Sequence, residues 1–232
     1  MTATAGTDAA PRRDAWDDPR VQAGMATMLE SRRRLLEDGA KPIGWKLAFG
    51  TEAAMSALGL NGPVVGFLTD RTLVAPGGEV PIAGWKAPKL EPEIAIHLGP
   101  GGEGVAGIAP AIELADADLP PTETETVLAG DIYHRGVVLD RSATPLAPTS
   151  PLAARITRGD EEIAATDDGE ATVGKLQDLA EYVVRYLGEF GEQTREGEII
   201  ISGSLVGLLD IAPGDKLRHE LLGIGALEVS IT

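Results

Sequence analysis

The sequence predicts an α+β or mainly β fold rather than a doubly wound parallel sheet. From Pro42 onward, short apolar runs are separated by Gly and Pro, a texture typical of β-strands joined by turns. The runs succeed one another like hairpins and do not alternate regularly with helices, as βαβ units would. Two segments with helical spacing interrupt them, which favours a fold with a few helices beside the strands.

The first element that the pattern predicts is an amphipathic helix over about 19–38. The pair Asp18–Pro19 supplies an N-cap and a proline at the first helical position. Apolar residues then recur at helical spacing until Gly39, which is a typical C-terminal stop. Residues 1–13 are small and polar without a pattern. We therefore expect a disordered tail there and, over 14–60, a helical segment that packs on the core.

The remaining helices and the strands follow from the same patterns. A short helix is expected in "TEAAMSALG", with Thr51 as its N-cap, and a longer one over about 172–190, where apolar residues form one stripe. Strands are expected in eight runs, which are "IGWKLAF", "VVGFL", "EIAIHLG", "PAIELA", "GVVLD", "AARITRGDEEIAAT", "GEIIISGSLVGLLDI" and "ALEVSIT".

The composition excludes several classes of function. The chain has 20 Lys and Arg against 36 Asp and Glu, a formal net charge of −16, which disfavours nucleic acid and anionic membranes as partners. It has no cysteine, so disulfides, thiolate zinc sites and cysteine nucleophiles are excluded. The N-terminus lacks the apolar region of a secretory signal, and no apolar run approaches the roughly 20 residues that span a bilayer. We therefore expect a cytoplasmic protein.

Three glutamates in strand-like runs form a candidate metal site. Glu91 and Glu93 of "KLEPEIAIHLG" are two residues apart, so on a strand their side chains lean to the same face. Like charges held together are unfavourable unless a cation lies between them. Glu113 of "APAIELAD" has Ala111 and Ala115 on its own face, which leaves room for a bound group. Such a set suits Mg²⁺ or Mn²⁺, although most carboxylate pairs in an acidic protein lie on the surface.

Five segments, in order along the chain, resemble the fumarylacetoacetate hydrolase superfamily. They look closest to its 2-keto-4-pentenoate hydratase and 4-oxalocrotonate decarboxylase branch, and the resemblance extends from about residue 15 to residue 232. It implies a rolled, mostly antiparallel β-structure with flanking helices, in which 61–232 form the catalytic β-roll domain. The five segments are "GWKLAFGTEAAMSALGL", "GFLTD", "KLEPEIAIHLG", "PAIELAD" and "GEIIISGSLVGLLDIAPGD".

The resemblance also implies roles for individual residues. The family's metal-binding E-x-E motif falls on Glu91 and Glu93 and its third carboxylate falls on Glu113, with Mg²⁺ or Mn²⁺ as the cofactor. Its active-site lysine falls on Lys46, where burial near a metal can depress the pKa, and a catalytic aspartate falls on Asp70. The expected substrate contacts, besides Lys46, are Leu68, Asp131, Arg135, Ser202, Gly203 and Ser204.

One segment departs from the branch. Where the branch carries an "ADNAS"-like stretch, this chain has "AGDIYHRGVVLD", so Asp131 stands for the family's asparagine. The bulky Tyr133, His134 and Arg135 follow where small residues are expected. The change predicts either a narrower pocket, or Arg135 as an anchor for a second substrate carboxylate with His134 as a proton carrier. A His–Arg pair at a structural turn is the alternative.

The other candidates have plain structural interpretations as well. Lys46 can be a strand lysine paired at the surface, and Asp70 can simply start a turn. The "SGS" segment at 202–204 can be a strand bend relaxed by glycine. His219 of "KLRHELLGIG" is expected in a surface strand or turn.

The sequence thus predicts a Mg²⁺- or Mn²⁺-dependent lyase, a hydratase or a decarboxylase, that acts on a small 2-oxo or 2-hydroxydienoic acid. The resemblance further implies a role in aromatic-compound catabolism and a homo-oligomer. The first alternative is an acylpyruvate-type C–C hydrolase of the same superfamily, although the His–Glu pair with which such hydrolases activate water has no clear equivalent here. The second is a non-catalytic or regulatory metal-binding member of the fold.

Overall fold

The computed structural model of the chain describes residues 14–142, 145–149 and 151–232, so the tail expected over 1–13 lies outside it. The described residues form two sheets. Their strands are β1 (Pro42–Ala48), β2 (Val64–Thr69), β3 (Leu73–Val74), β4 (Glu79–Val80), β5 (Pro88–Leu98), β6 (Val105–Asp116), β7 (His134–Val138), β8 (Ala154–Arg158), β9 (Glu161–Thr166), β10 (Ile199–Ile201), β11 (Leu209–Asp210), β12 (Lys216–Leu221) and β13 (Gly225–Ile231).

The first two helices begin where short-range signals place them, whereas the third was not predicted. The Asp18 side chain caps the first helix by accepting from the backbone N–H of Arg20, and Thr51 caps the second in the same way. The single helix expected over 172–190 is divided in two, because Gly174 adopts a φ of 100° between the two parts. The α-helices are α1 (Pro19–Glu37), α2 (Glu52–Leu58), α3 (Thr124–Ala129), α4 (Gly169–Val173) and α5 (Leu176–Glu189). None in the described ranges is long and apolar enough to cross a membrane.

The larger sheet is rolled on itself. Its strand order is β2-β1-β10-β5-β6-β7-β3, with β11 pairing with β5 to one side. All pairs are antiparallel except β1 with β10 and β3 with β7. Edge strand β2 continues through a 3₁₀ turn, Asp70–Thr72, directly into edge strand β3. The chain therefore joins the two edges of the sheet, and the predicted rolled, mostly antiparallel α+β fold is confirmed.

The outer face of the roll is covered in two places. Helices α1 and α5 pack on the parts of β1, β5 and β10 that carry Trp45, Ile96 and Ile200. The smaller sheet, of order β4-β13-β12-β8-β9, packs on the other end of β5 and β6 through Leu90 and Ile112. This double cover explains why β5 and β6 are buried over nearly their whole length.

The inner face of the roll carries the polar candidates. Its apolar filling is small, with alanines and short aliphatic side chains such as Ala95, Ala111 and Ile201. Lys46, Glu93 and Glu113 point into the same interior. Strand β1 belongs to the segment expected over 14–60, yet it lies inside the larger sheet between β2 and β10. Residue 60 is therefore no structural boundary between a helical segment and the β-roll.

Candidate metal centre and active site

The three predicted glutamates meet inside the roll. Glu91 and Glu93 lie on β5, and Glu91 is directly opposite Glu113 of β6 in the antiparallel register. One carboxylate oxygen from each residue lies within 4.8 Å of the other two. Two ligands on opposite sides of a Mg²⁺ ion are about 4.2 Å apart, so only a small adjustment separates this cluster from a coordination shell.

The electrostatics of the cluster also fit a cation. Burial and the neighbouring Glu113 carboxylate raise the pKa of Glu91 to about 7. The same two causes, joined by Glu91, raise the pKa of the fully buried Glu93 well above its usual value. One oxygen of Glu93, Oε1, is buried without a hydrogen-bond partner. A divalent cation would offset the repulsion between these buried carboxylates and would bind the oxygen that has no hydrogen-bond partner.

The chain holds Glu93 from two sides. The backbone N–H of Gly203 donates to Glu93 Oε2 at 2.8 Å, and Nε2 of His219 lies 3.0 Å from the Glu93 carbonyl oxygen. Gly203 can offer its N–H there because it adopts a φ of 86°, which glycine tolerates. The predicted "SGS" segment therefore reaches the site, but as a support for a carboxylate rather than as free donors.

Lys46 lies beside Glu113 in the interior, not at the surface. Its side chain is 2% exposed, and its Nζ donates to Glu113 Oε1 and, at 2.9 Å, to the Ile132 carbonyl oxygen. Burial lowers the pKa of Lys46, but the carboxylates of Glu113, Asp131 and Glu91 outweigh that effect and the net pKa is raised. The depressed pKa expected for a lysine near a metal is thus absent when only the carboxylates surround it.

Glu113 is the hub of the cluster. Its Oε1 accepts from Lys46 and also lies 2.7 Å from Nδ1 of His134. Burial by itself raises the pKa of Glu113, but Lys46 and His134 outweigh it, so the pKa is lowered. Glu113 is therefore the member of the three that ionises most readily, whereas the pKa of Glu91 is raised to about 7 and that of Glu93 well above its usual value.

A strained turn after α3 supplies two further groups. Asp131, Ile132 and Tyr133 have φ values of 58°, 52° and 65°, a left-handed conformation that is uncommon for residues other than glycine. The turn aims the Ile132 carbonyl at Lys46, and Asp131 Oδ1 accepts from the backbone N–H of Phe67 at 2.9 Å. Burial raises the pKa of Asp131 to about 6, against the opposing effects of His134 and Lys46. Glu91 and Asp131 keep some exposed surface, whereas Glu93 and Glu113 are buried.

Five predicted roles do not agree with the positions of the residues, and the first three are those of Asp70, Leu68 and Ser204. Asp70 is exposed at the far end of β1, where its Oδ1 accepts from the backbone N–H of Lys41 at 2.8 Å, so it cannot pair with Lys46. Leu68 is fully buried in the apolar filling of the roll and offers no side-chain surface to a substrate. Ser204 donates to the Gly207 carbonyl oxygen at 2.6 Å.

Ser202 is also committed to the fold. Its Oγ accepts from the backbone N–H of Ile94 at 3.1 Å and donates to the Gly203 carbonyl oxygen at 2.9 Å. Its backbone N–H donates to the Ile94 carbonyl oxygen and extends the pairing of β10 with β5. The hydroxyl therefore fixes the strand end that carries Gly203, and it does not face the carboxylates.

A β-bulge in β7 decides which of His134 and Arg135 faces the interior of the roll. Leu114 of β6 pairs with Gly136, but the next residue, Ala115, pairs with His134, so Arg135 is the extra residue of β7. Regular alternation from Gly136 would turn Arg135 inward, whereas the bulge turns His134 inward instead. Arg135 is exposed, and its Nη1 donates to the His134 carbonyl oxygen at 2.9 Å. The predicted anchor for a second substrate carboxylate is therefore not in the site.

His219 was expected at the surface and is instead fully buried. It lies on β12 of the smaller sheet, which packs behind β5, and burial lowers its pKa to about 4, with the Glu93 carbonyl as a weaker opposing effect. The alternation of Leu217, His219 and Leu221 in "KLRHEL" was a usable signal, because it places the histidine on the apolar face of a strand.

The chain has relatives of known name over most of its length. No protein-family model matches it. It is 27% identical over 209 residues to a 4-oxalocrotonate decarboxylase of Pseudomonas sp, which covers 85% of this chain and 81% of that protein. It is 24% identical over 238 residues to the 2-keto-4-pentenoate hydratase of Paraburkholderia xenovorans (strain LB400), covering 96% of this chain and 88% of that protein.

A solved structure has the same fold. The 4-oxalocrotonate decarboxylase from Pseudomonas putida G7, complexed with magnesium and adipate, superposes with a TM-score of 0.80 at 22% identity, covering 91% of this chain and 86% of that one. This chain therefore shares the rolled fold of that decarboxylase. The names of the two relatives confirm the resemblance to the 2-keto-4-pentenoate hydratase and 4-oxalocrotonate decarboxylase branch of the fumarylacetoacetate hydrolase superfamily.

Proposed function

We propose that this chain is a divalent-metal-dependent lyase, a hydratase or a decarboxylase, that acts on a small 2-oxo or 2-hydroxydienoic acid. One observation carries the proposal: Glu91, Glu93 and Glu113 bring carboxylate oxygens within 4.8 Å of one another beside a buried lysine. The names of the relatives, which are decarboxylases and hydratases, support the reaction class. We also propose a role in the catabolism of aromatic compounds, which the resemblance implies.

The residues of the cluster are suited to hold Mg²⁺ or Mn²⁺. Glu91, Glu93 and Glu113 would supply the ligands, since they offer oxygen donors only and Glu93 Oε1 lacks any partner within the described residues. When bound, such an ion acts as a Lewis acid that stabilises the negative charge developing on the oxygen of a 2-oxo acid. With three protein ligands, the ion would still have room to bind substrate or water.

Two side chains of the site can move protons. The Asp131 carboxyl group has a pKa of about 6, so near neutral pH it accepts a proton from a substrate hydroxyl group or from water. Lys46 keeps a proton on Nζ and can donate it to a substrate carbon or hold the substrate carboxylate. In a hydratase these groups serve ketonisation of the dienol and addition of water. In a decarboxylase the carbon left by departing CO₂ is protonated by the same pair.

The experiment uses metal-free protein, prepared with a chelator, to which Mg²⁺ or Mn²⁺ is returned before incubation with 2-hydroxydienoates, 4-oxalocrotonate and acylpyruvates. Absorbance and mass of the products separate water addition, loss of CO₂ and C–C hydrolysis. We expect turnover that requires the ion, falls below detection in Glu93→Gln, and persists in Glu103→Gln, which neutralises an exposed loop acid. Undiminished turnover in the chelated protein or in Glu93→Gln would contradict the proposal.

The alternatives give distinct results in the same assay. Cleavage of acylpyruvates to two acids, without water addition or CO₂ release from the other substrates, identifies the C–C hydrolase. Metal binding without turnover of any substrate identifies the non-catalytic member of the fold. We further propose that the protein is cytoplasmic and that it is a homo-oligomer. The resemblance implies the oligomer, and light scattering on the purified protein tests it.

A further inference from the structure

We propose that His134 is a positioning residue that fixes Glu113 for metal binding, and that Thr72 anchors it to the closure of the roll. The inference rests on the proposed metal site and concerns residues outside its ligand set. His134 occupies the segment in which this chain departs from the pattern of the branch, so no role for it follows from the resemblance.

The ring of His134 is held at both nitrogens. Nδ1 lies 2.7 Å from Glu113 Oε1, and Nε2 lies 2.9 Å from Thr72 Oγ1. The side chain is only 3% exposed, and that of Glu113 is 1% exposed, so water does not compete for these contacts. A ring that is bonded at both ends and buried has a single orientation.

The hydrogen-bond geometry places the proton of Nδ1 toward Glu113. The Thr72 hydroxyl lies 2.9 Å from Nε2 and 3.3 Å from the Thr69 carbonyl oxygen, and it has only one proton to donate. Glu113 Oε1 already accepts from Lys46, and an ionised carboxylate has no proton to donate, so Nδ1–H must be the donor to Glu113. With the proton on Nδ1, Nε2 can accept from the Thr72 hydroxyl.

These hydrogen bonds decide which oxygen of Glu113 is left to face Glu91 and Glu93. Lys46 and His134 both bind Oε1, so Oε2 is the oxygen left for a cation. Hydrogen bonds that orient a ligating carboxylate in this way raise metal affinity, and loss of such a partner costs about 10- to 100-fold. Thr72 belongs to the turn that joins β2 to β3, so the contact ties the metal site to the closure of the rolled sheet.

The test measures Mn²⁺ binding to the metal-free protein by calorimetry, together with thermal unfolding in chelator. We expect His134→Leu to bind Mn²⁺ about 10- to 100-fold more weakly than wild type. His134→Asn, whose amide N–H can take the place of Nδ1–H, recovers most of that loss. Thr72→Val, which keeps the ring but removes its anchor, weakens binding in the same direction. His97→Leu is the matched control, since His97 is a partly buried histidine of β5 outside the cluster.

The outcomes distinguish failure of the proposed metal site from failure of the proposed role of His134. Wild type that binds no Mn²⁺ overturns the proposed metal site and this inference together. The inference is overturned, and the metal site is not, in either of two cases. Wild type and His134→Leu bind Mn²⁺ with equal affinity, or His97→Leu loses as much affinity as His134→Leu does. If His134→Leu does not fold, unchanged affinity in Thr72→Val overturns it, and weakened affinity at an unchanged unfolding temperature supports it.

Discussion

Neutralising Glu91 should stabilise the metal-free protein at alkaline pH but not at acid pH. The usual pKa of this carboxyl group is 4.5, and burial beside Glu113 raises it to about 7 in the folded protein. A carboxyl group whose pKa is raised by folding binds its proton more tightly in the folded state. Stability is therefore fully present below pH 4.5, is lost progressively as the pH rises toward 7, and stays lost above it.

The size of the effect follows from the two pKa values. Their difference of about 2.5 corresponds to about 3 kcal/mol at full ionisation, since a difference of one is 1.36 kcal/mol. Integrated over pH, the penalty is about 1 kcal/mol at pH 5 and about 3 kcal/mol at pH 8. Glu91→Gln keeps the shape of the side chain but cannot ionise. Its stability relative to wild type should therefore rise by about 2 kcal/mol between these two pH values.

The assay is urea unfolding in chelator at a fixed protein concentration, at pH 5, 6, 7 and 8, for wild type, Glu91→Gln and the exposed control Glu103→Gln. Added Mg²⁺ should reverse the ranking at pH 8, because a cation stabilises the folded wild type that binds it. A difference between Glu91→Gln and wild type that is flat with pH, or that Glu103→Gln reproduces, would refute the reasoning. It would mean that crowding of the carboxylates does not control the charge of Glu91.

Two further predictions test the positions of Lys46, Asp70 and Asp131, and a third tests helix α5. Lys46→Met should lower kcat by about 10²-fold or more, because it removes the buried proton donor, whereas Asp70→Asn, at the surface, should leave kcat unchanged in the same assay. Gly66→Ala should lower kcat, because its Cβ would lie 2.6 Å from Asp131 Oδ1 and 2.9 Å from Lys46 Cγ, and a normal value would contradict the placement of both groups. Gly188→Ala, at an exposed position of α5 with nothing within 4 Å, should instead raise the free energy of unfolding by about 0.5–1 kcal/mol, measured in urea, and a loss would argue against the helix there.

Short-range periodicity was enough to predict the acidic face. The spacing of Glu91 and Glu93 puts both on one side of a strand whatever its neighbours are, and β5 confirms this. Their meeting with Glu113 depends on the register between β5 and β6, which periodicity does not contain. The residue pattern proposed Glu113 as the third ligand and the resemblance supported it, but neither gives the register, which is set by packing and turn geometry.

The errors in the predicted site have a different physical origin. Alternation along "HRGVV" points Arg135 and Val137 to one face, and the bulge that replaces Arg135 with His134 is caused by the pairing of β7 with β6. Asp70 was expected beside Lys46 from a motif, but it lies one residue past the end of β2, where the chain turns away toward β3. We propose Asp131 as the proton-transfer partner instead, since its charge acts on Lys46 and both side chains lie beside Gly66.

The strained turn explains why Lys46 can stay charged in the interior. A buried ammonium group needs a counter-charge and more than one hydrogen-bond acceptor. Glu113 supplies the counter-charge but only one acceptor oxygen. The second is the Ile132 carbonyl, which points at Nζ only because three successive residues after α3 adopt left-handed φ values. Such residues cost about 1–3 kcal/mol each and persist where the surroundings impose them. The same segment continues into His134, so the stretch that departs most from the pattern of the branch is also the one that orients both the lysine and Glu113.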